Sequence, residues 1–472
     1  MFENFVYALP ELILICGLIV LPVLNFFNNS QKQTLKLSAW IILFSWFMNI
    51  IFYNKAFSDH YLVSTGFSTL VSSIAYLGSF AVLILARRWY ASTGEAPLVY
   101  CEGILLGILL CNIATESVHF AVTVLFFWGM LGVNILMLHH SSNSKDIGLD
   151  LKSYGKAAIF FSCIMLFIAF TFYLDNGHLA YSSLSSFISA KQNSVEIFLL
   201  TTAVILCYLF LLGLAPFSFW KTETTGQVIL PVLAYFLLIP FASVFASFIN
   251  LSRFVFSVYL EDISFFCLLF GSISMLIGAL GACSGKNIHK ILAYGSLFHL
   301  GIMFLTINSL TSDAIDDFLM YLLIYLLSMY GIVSAFFGLK SKGEYLLTLS
   351  DLAGSSVKKP YISAMITVYL FSLVGFPPFL GFVGLYTIGL NLASDNHFYI
   401  LLFLLVILII LTYAYMQIIK TMYFEKSNNS YDHTERSIYA VVFINALLMI
   451  IISLKPDILI ENIKILTENV FG

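Results

Sequence analysis

Long runs of apolar residues follow one another along almost the whole chain, with short polar connections between them. Most of the fourteen runs are about 17–26 residues long, enough to cross about 30 Å of hydrocarbon as an α-helix. The runs are solidly apolar, whereas strands of a membrane barrel would alternate. The pattern predicts an all-α polytopic membrane protein with about 14 transmembrane helices. The predicted spans are 11–27, 37–53, 67–86, 98–114, 117–138, 157–175, 195–217, 228–250, 264–283, 288–307, 318–339, 361–393, 398–419 and 438–454.

Basic residues in the connections predict the orientation of these spans. The connections after the odd-numbered spans, counted together with the span edges, hold 17 Lys and Arg residues, whereas both termini and the connections after the even-numbered spans hold 5. Cytoplasmic loops of membrane proteins carry an excess of Lys and Arg. The sequence therefore predicts that both termini lie on the non-cytoplasmic side of the membrane.

Composition supports the membrane assignment. Of 472 residues, 60% are apolar and only 10% are charged, the net charge is −3, and the mean hydropathy is +0.96. A soluble domain is about a quarter charged, so these values exclude a soluble enzyme and a nucleic-acid-binding protein. No two of the seven cysteines are separated by only two to four residues. The sequence therefore predicts no zinc or iron–sulfur site.

Two of the predicted spans are interrupted in a similar way. Span 7 contains Gly213 and Pro216, and span 12 contains Gly375, Pro377 and Pro378. Proline lacks a backbone donor and clashes with the preceding turn, so each helix is expected to open there. A carbonyl freed in this way is costly in lipid unless it faces protein or a wet cavity.

The two breaks lie five spans apart, which suggests an internal repeat. Because five is odd, the second unit would be inverted relative to the first, as in many transporters. Two unrelated proline kinks are the alternative interpretation. The predicted organisation is an N-terminal three-helix segment at 1–97, a five-helix repeat at 98–250, its inverted counterpart at 251–424, and a C-terminal helix and tail at 425–472.

Six short motifs, spread in order from residue 8 to residue 424, carry a resemblance to a known family. They are Ala8-Leu9-Pro10-Glu11-Leu12, the segment 212–220, the segment 287–296 with His299 and Gly301, the segment 351–354, the segment 375–382 and the segment 420–424. The chain thereby resembles the antiporter-like membrane subunits of respiratory complex I. Within that family the motifs are similar to those of the subunit N family of bacterial NADH–quinone oxidoreductases. The resemblance covers nearly the whole chain.

The resemblance implies proton translocation coupled to electron transfer, through buried ionisable residues at membrane mid-depth. The family pattern has a Glu in span 5 and a Lys in each of spans 7, 8 and 12. Charged groups inside a membrane are costly and are therefore functional candidates. The matching positions here are Leu125 or Phe126, Leu211, Phe241 and Leu385. Since all four charges are replaced by apolar side chains, we expect that this chain alone conducts no protons.

One ionisable candidate remains near the middle of a span. His299 matches a family histidine, and Ser296 shares its helix face by i,i+3 spacing. An imidazole can pass protons near neutral pH. Lys290 lies two to three turns away, toward the predicted cytoplasmic end. His299, Ser296 and Lys290 form the candidate proton relay, and a neutral histidine hydrogen-bonded between helices is the alternative interpretation.

Other charged residues are predicted to be structural. Four lie near span ends, where we expect their side chains to reach the headgroups. They are Glu102, Glu116, Lys221 and Lys286. Three acidic residues are predicted to lie in a solvated outer connection. They are Asp313, Asp316 and Asp317.

The leading hypothesis for function is a membrane-arm subunit of an NADH–quinone oxidoreductase in the bacterial cytoplasmic membrane. Other membrane subunits and the lipid bilayer would be its partners, and it would meet quinone only through the complex. No cofactor and no redox chemistry are predicted on this chain, because it lacks a glycine-rich nucleotide loop and a cysteine cluster. The alternatives are a non-conducting structural paralogue and a subunit of a multi-subunit cation/proton antiporter.

Overall fold

The computed structural model describes residues 8–27, 31–51, 61–141, 145–192, 194–426 and 430–471. These residues are mostly α-helical. The last two residues of the predicted span 37–53 therefore lie outside the described residues. The helices, numbered α1 to α20 in chain order, are Leu9–Phe27, Gln31–Ile51, Gly66–Thr93, Leu98–Glu116, Phe120–His140, Lys145–Asn176, Tyr181–Ala190, Val195–Leu212, Ser218–Thr225, Leu230–Leu238, Pro240–Phe254, Leu260–Ser284, Ile288–Thr306, Ser312–Phe337, Ser355–Lys358, Pro360–Val374, Leu380–Ser394, Phe398–Phe424, Arg436–Leu454 and Pro456–Phe471.

Among the described residues, thirteen helical spans are long and apolar enough to cross a membrane. The two shorter apolar helices α16 and α17 together cover the twelfth predicted span. Large apolar side chains are exposed along α5, α6 and α18. The chain is therefore an integral, multi-pass membrane protein. The count of 14 spans, the inverted repeats and the orientation of the termini stay predictions.

The chain divides into two compact units. The first contains residues 1–213, 238–266 and 466–472, and the second contains residues 214–237 and 267–465. The boundary at Gly213 coincides with the first of the predicted helix breaks. The four sequence segments 1–97, 98–250, 251–424 and 425–472 stay a prediction.

In the second unit, α12 and α13 pack backbone against backbone. A Cβ atom added to Gly301 would lie 2.8 Å from the carbonyl oxygen of Gly271, and one added to Gly278 would lie 2.6 Å from the amide nitrogen of Phe298. Small residues allow this close approach between membrane helices. The packing holds the middle of α13, where His299 lies, against α12.

Side-chain caps fix where the helices around His299 begin. The Asn287 side chain accepts a hydrogen bond from the His289 amide at 2.8 Å at the start of α13. Thr311 accepts from the Ala314 amide at 3.3 Å at the start of α14. Such caps satisfy amides that have no partner within the helix. A two-stranded antiparallel ribbon, β1 (Lys340–Ser341) with β2 (Glu344–Tyr345), follows α14.

Both helices predicted to break are interrupted. α8 ends before Gly213, with φ of +68°, and α16 ends before Gly375, with φ of +75°. Each glycine adopts the left-handed conformation that favours residues without a Cβ atom. The prolines follow at the same offset, with cis peptide bonds before Pro216 and Pro378.

A third interruption was not predicted. The region of predicted span 8 holds two helices. α10 ends at Leu238, and α11 begins at Pro240 after Ile239. Pro240 lies inside the predicted span 228–250. Its position at the start of α11 fits its lack of an amide hydrogen, because the first helical position needs no donor.

Candidate functional site

His299 lies on α13 in the second unit and is completely buried. Its Nδ1 atom is 2.8 Å from the phenol oxygen of Tyr321 on α14, and its Nε2 atom is 3.3 Å from the phenol oxygen of Tyr415 on α18. A neutral imidazole has one donor and one acceptor nitrogen. One tyrosine therefore accepts from the ring while the other donates to it, which makes a three-membered hydrogen-bonded chain across three helices.

Further buried polar groups surround these three hydrogen-bonded residues. Ser296 is buried one turn before His299 and donates to the carbonyl of Ala293 at 3.1 Å. The Tyr325 ring centroid lies 5.5 Å from that of His299, and its hydroxyl donates to the carbonyl of Leu237 at 3.2 Å. Phenol and hydroxyl groups can reorient their hydrogen bonds. The cluster is thus suited to fixing helices together and to short-range exchange of hydrogen bonds.

Lys290, the third member of the predicted relay, makes a different contact. Its Nζ atom lies 2.9 Å from Glu223 Oε2 on α9, and the Tyr294 hydroxyl donates to the same carboxylate at 3.2 Å. Nine residues separate Lys290 from His299, about 14 Å along a helix. The structure thus brings Ser296 and His299 together and directs Lys290 into a partly exposed ion pair.

The positions that carry charges in the family are apolar and mostly buried. In the first unit, Phe126, Leu211 and Phe241 are all buried, whereas Leu125 is 64% exposed. The inward-facing residue of span 5 is therefore Phe126. In the second unit Leu385 is half-buried, close enough to Gly375 that an added Cβ there would lie 2.4 Å from Leu385 Cδ1.

The interpretation of Lys221 as a snorkelling side chain is wrong. Lys221 is only 3% exposed. The reason is the break at Gly213: a new helix, α9, begins at Ser218, and most of its residues are buried, Lys221 among them. Lys286 is exposed as expected, and Glu102 and Glu116 are half-buried.

The interpretation of the three aspartates as solvated loop residues is also wrong in part. Asp313, Asp316 and Asp317 belong to the first turns of α14, which begins six residues before the predicted span. Asp313 is exposed and Asp316 half-buried, but Asp317 is only 9% exposed and accepts a hydrogen bond from the Asn391 side chain. As part of α14, Asp317 contacts Asn391 of α17.

A polar network in the first unit was missed by sequence reasoning. Glu11 on α1 accepts from Asn112 Nδ2 at 2.9 Å, and the same nitrogen lies 2.9 Å from the Tyr76 hydroxyl. That hydroxyl is 2.6 Å from Ser45 Oγ, which donates to the carbonyl of Pro10 at 2.8 Å. We call Glu11, Ser45, Tyr76 and Asn112 the Glu11 network. The available signal was Asn112, a polar residue inside predicted span 4.

No group of three or more His, Cys, Asp or Glu residues that could hold a metal ion occurs in the part of the chain that the structure describes. The absence of a cofactor on this chain stays a prediction.

Comparisons with known proteins agree with the motif resemblance. The family model for NADH:quinone oxidoreductase/Mrp antiporter transmembrane proteins matches residues 119–412. NADH-quinone oxidoreductase subunit N of Rhodospirillum rubrum is 23% identical over 416 residues, 86% of this chain and 84% of the relative. A chain of respiratory complex I from Thermus thermophilus superposes with a TM-score of 0.80 at 18% identity, covering 96% of this chain and 98% of the other.

A chain of the Mrp complex from Dietzia sp. DQ12-45-1b superposes with a TM-score of 0.82 at 15% identity, covering 99% of this chain and 98% of the other. At these identities the structural likeness shows the shared fold. The family match covers more than half of the chain, so the resemblance predicted from the motifs is confirmed. The chain belongs to the family of NADH:quinone oxidoreductase/Mrp antiporter transmembrane proteins.

Proposed function

We propose that this chain is a membrane-arm subunit of a bacterial NADH–quinone oxidoreductase, placed in the cytoplasmic membrane with both termini outside the cytoplasm. The observation that carries the proposal is the match to a subunit N over 86% of this chain. The chain packs against other membrane subunits of the complex. It binds no cofactor itself and meets quinone only through the complex.

We further propose that this chain alone conducts no protons. Phe126, Leu211 and Phe241 support this, because each is buried and apolar where the family has a charge. Cavities lined by such side chains stay dry. A proton without water or an ionisable partner faces a large desolvation cost in a low-dielectric interior.

Affinity purification tests the assembly. The full chain carries a C-terminal tag in its native cells, and membranes are extracted in a mild detergent before mass spectrometry. We expect the other subunits of an NADH–quinone oxidoreductase in near-equal amounts. A tagged, unrelated polytopic protein of the same membrane is the control. Co-purification of cation/proton antiporter subunits instead, or of no partner, would contradict the proposal.

Proton uptake tests the lack of conduction. The purified chain is placed in liposomes that hold a pH-sensitive dye and a potassium gradient with valinomycin. We expect the same rate of proton uptake as in empty liposomes. A protonophore added at the end checks that the vesicles are sealed and the dye responds. A faster rate with the chain present would contradict the proposal.

A further inference from the structure

A groove opens between α16 and α19 in the second unit. Its volume is about 490 Å³, within the range of about 300–1,000 Å³ that ligand pockets occupy. Apolar and aromatic side chains of both helices line it: Tyr361, Ile362, Met365, Tyr439, Val442 and Phe443. We call this cavity the α16–α19 groove.

The floor of the groove is packed and its walls are open. Ile362 and Val442 are buried, and the Tyr369 hydroxyl of α16 donates to the carbonyl of Val442 at 2.5 Å. Tyr361 and Phe443, in contrast, are exposed, Tyr361 by 75%. The two helices are thus joined along the floor, while the groove faces outward from the chain.

A hydrogen-bonded link ties together the starts of the two helices. Lys359 directly precedes α16, and its Nζ atom donates to Thr434 Oγ1 at 3.1 Å. Thr434 donates in turn to the carbonyl of Gly338 at 2.7 Å, two residues before α19 begins at Arg436. Both helix starts therefore lie at one level, which is one end of the groove.

The character of the groove changes from this end inward. Lys358 and Arg436 are exposed and Lys359 is half-buried. Tyr361 and Tyr439 come next along the two helices, and tyrosine is enriched at the membrane–water boundary. The lining beyond them is apolar. Basic groups at the boundary above an apolar cleft between membrane helices suit a lipid with an anionic headgroup.

The local charges also fit an anionic headgroup. Two helices of 15 and 19 residues begin here, and the start of a helix carries a partial positive charge. The Asp432 carboxylate accepts from the amides of Lys342 and Gly343 at 3.2 Å and 2.6 Å, so it is held by the backbone. Glu435 is exposed beside Arg436 and would oppose an anion. An apolar helix of a partner could fill the groove but would bring no anionic group to these basic residues.

We propose that the α16–α19 groove binds one anionic phospholipid, with an acyl chain between the two helices and the phosphate against Lys359 and Arg436. The site lies apart from the four positions where the family carries its charges and from the residues around His299. The inference does not rest on the proposed function, because lipid binding requires neither assembly nor conduction.

Lipid titration of the purified full chain tests the charge preference. Delipidated protein in detergent receives phosphatidylglycerol or phosphatidylcholine with the same acyl chains, and native mass spectrometry counts the bound molecules. We expect the first phosphatidylglycerol to bind at least tenfold more tightly than phosphatidylcholine. Equal binding of the two lipids would overturn the proposal.

Variants assign the preference to the groove. Lys359→Gln and Arg436→Gln should each lower it by about fivefold, because each removes one positive charge near the phosphate. Glu435→Gln should raise it, since it removes the opposing charge. Lys286→Gln is the matched control, because Lys286 is an exposed basic residue in another connection, between α12 and α13. A loss of preference as large in Lys286→Gln would mean that general surface charge attracts the lipid.

Photolabelling locates the acyl chain without any substitution. Phosphatidylglycerol with a diazirine on its acyl chain is irradiated with the protein, and the modified peptides are identified by mass spectrometry. We expect the segments 361–365 and 439–443 to be labelled in preference to the exposed apolar face of α6, which includes Phe160 and Phe167. Even labelling of these three regions would show only general contact with lipid and would overturn the proposal.

The same probe applied to native membranes distinguishes a lipid from a partner subunit. The groove segments should be labelled there as well. If they were unlabelled while other lipid-facing helices of the chain reacted, a partner would cover the groove and the lipid proposal would be wrong.

Discussion

His299 Nδ1 lies 2.8 Å from the phenol oxygen of Tyr321, so the histidine predicted as a relay residue is fixed to the neighbouring helix by a short hydrogen bond. Its other nitrogen meets Tyr415 at 3.3 Å. Both ring nitrogens are thus used by phenols, which do not ionise near neutral pH. This arrangement fits a neutral histidine that joins three helices.

The first prediction is that His299→Ala leaves proton pumping by the complex unchanged. The substitution leaves the hydroxyls of Tyr321 and Tyr415 buried without a partner on that side. We expect the free energy of unfolding to fall by about 1–3 kcal/mol for this reason. The measurement is the proton-to-electron ratio in liposomes that contain the complex, together with thermal stability.

His299→Gln is the matched control, because an amide keeps one donor and one acceptor. It should restore part of the lost stability. If both variants assembled normally but lowered the proton-to-electron ratio, His299 would carry protons and the interpretation of the four apolar replacements would be wrong.

The second prediction concerns topology. Reporter fusions in the connections near Lys145 and Lys358 should report the cytoplasm, because those connections follow odd-numbered spans and are rich in Lys and Arg. A fusion near Asn396, after an even-numbered span, serves as the opposite control and should report the outside. A periplasmic signal at either basic connection would reverse the assignment of the termini.

Local chemistry explains what could be predicted from the sequence. The interruptions follow from Gly213, Pro216, Gly375 and Pro378, whose backbone restrictions act within a few residues. The partners of His299 could not be found in this way. Tyr321 and Tyr415 come from other helices, and which of the chain's 26 tyrosines face one histidine depends on helix packing.

The ambiguous position in span 5 shows the same limit. Leu125 and Phe126 are neighbours in a helix that is apolar on all sides, so periodicity could not distinguish the inward residue. Burial distinguishes them, because only Phe126 is enclosed. Lys221 follows the predicted end of span 7 by four residues, and its burial depends on the new helix that begins at Ser218 after the break at Gly213.

The third prediction is that Lys221 resists chemical modification. A membrane-impermeable amine reagent applied to the purified protein should label exposed Lys358 at least tenfold faster than Lys221, which is 3% exposed. The measurement is the labelled fraction of each lysine by mass spectrometry. After unfolding in denaturant the two rates should become similar, and equal rates before unfolding would show that α9 opens readily.

The fourth prediction concerns the two glycine breaks. Gly213→Ala and Gly375→Ala each place a Cβ atom on a left-handed backbone, which costs roughly 1–2 kcal/mol for an L-residue. At Gly375 the added Cβ would also lie 2.4 Å from Leu385 Cδ1, so the tip of this leucine must move. We expect both variants to lower the thermal midpoint of the detergent-solubilised protein.

Gly132→Ala is the control for this comparison. Gly132 lies within α5, an added Cβ there meets nothing within 4 Å, and alanine favours helix by about 0.5–1 kcal/mol over glycine. This variant should therefore keep or raise the midpoint. If all three variants behaved alike, the left-handed turns would not determine the stability of the broken helices. If only Gly213→Ala and Gly375→Ala lowered the midpoint, the turns after α8 and α16 would be rigid parts of the fold. A flexible kink would instead relax around the added methyl group.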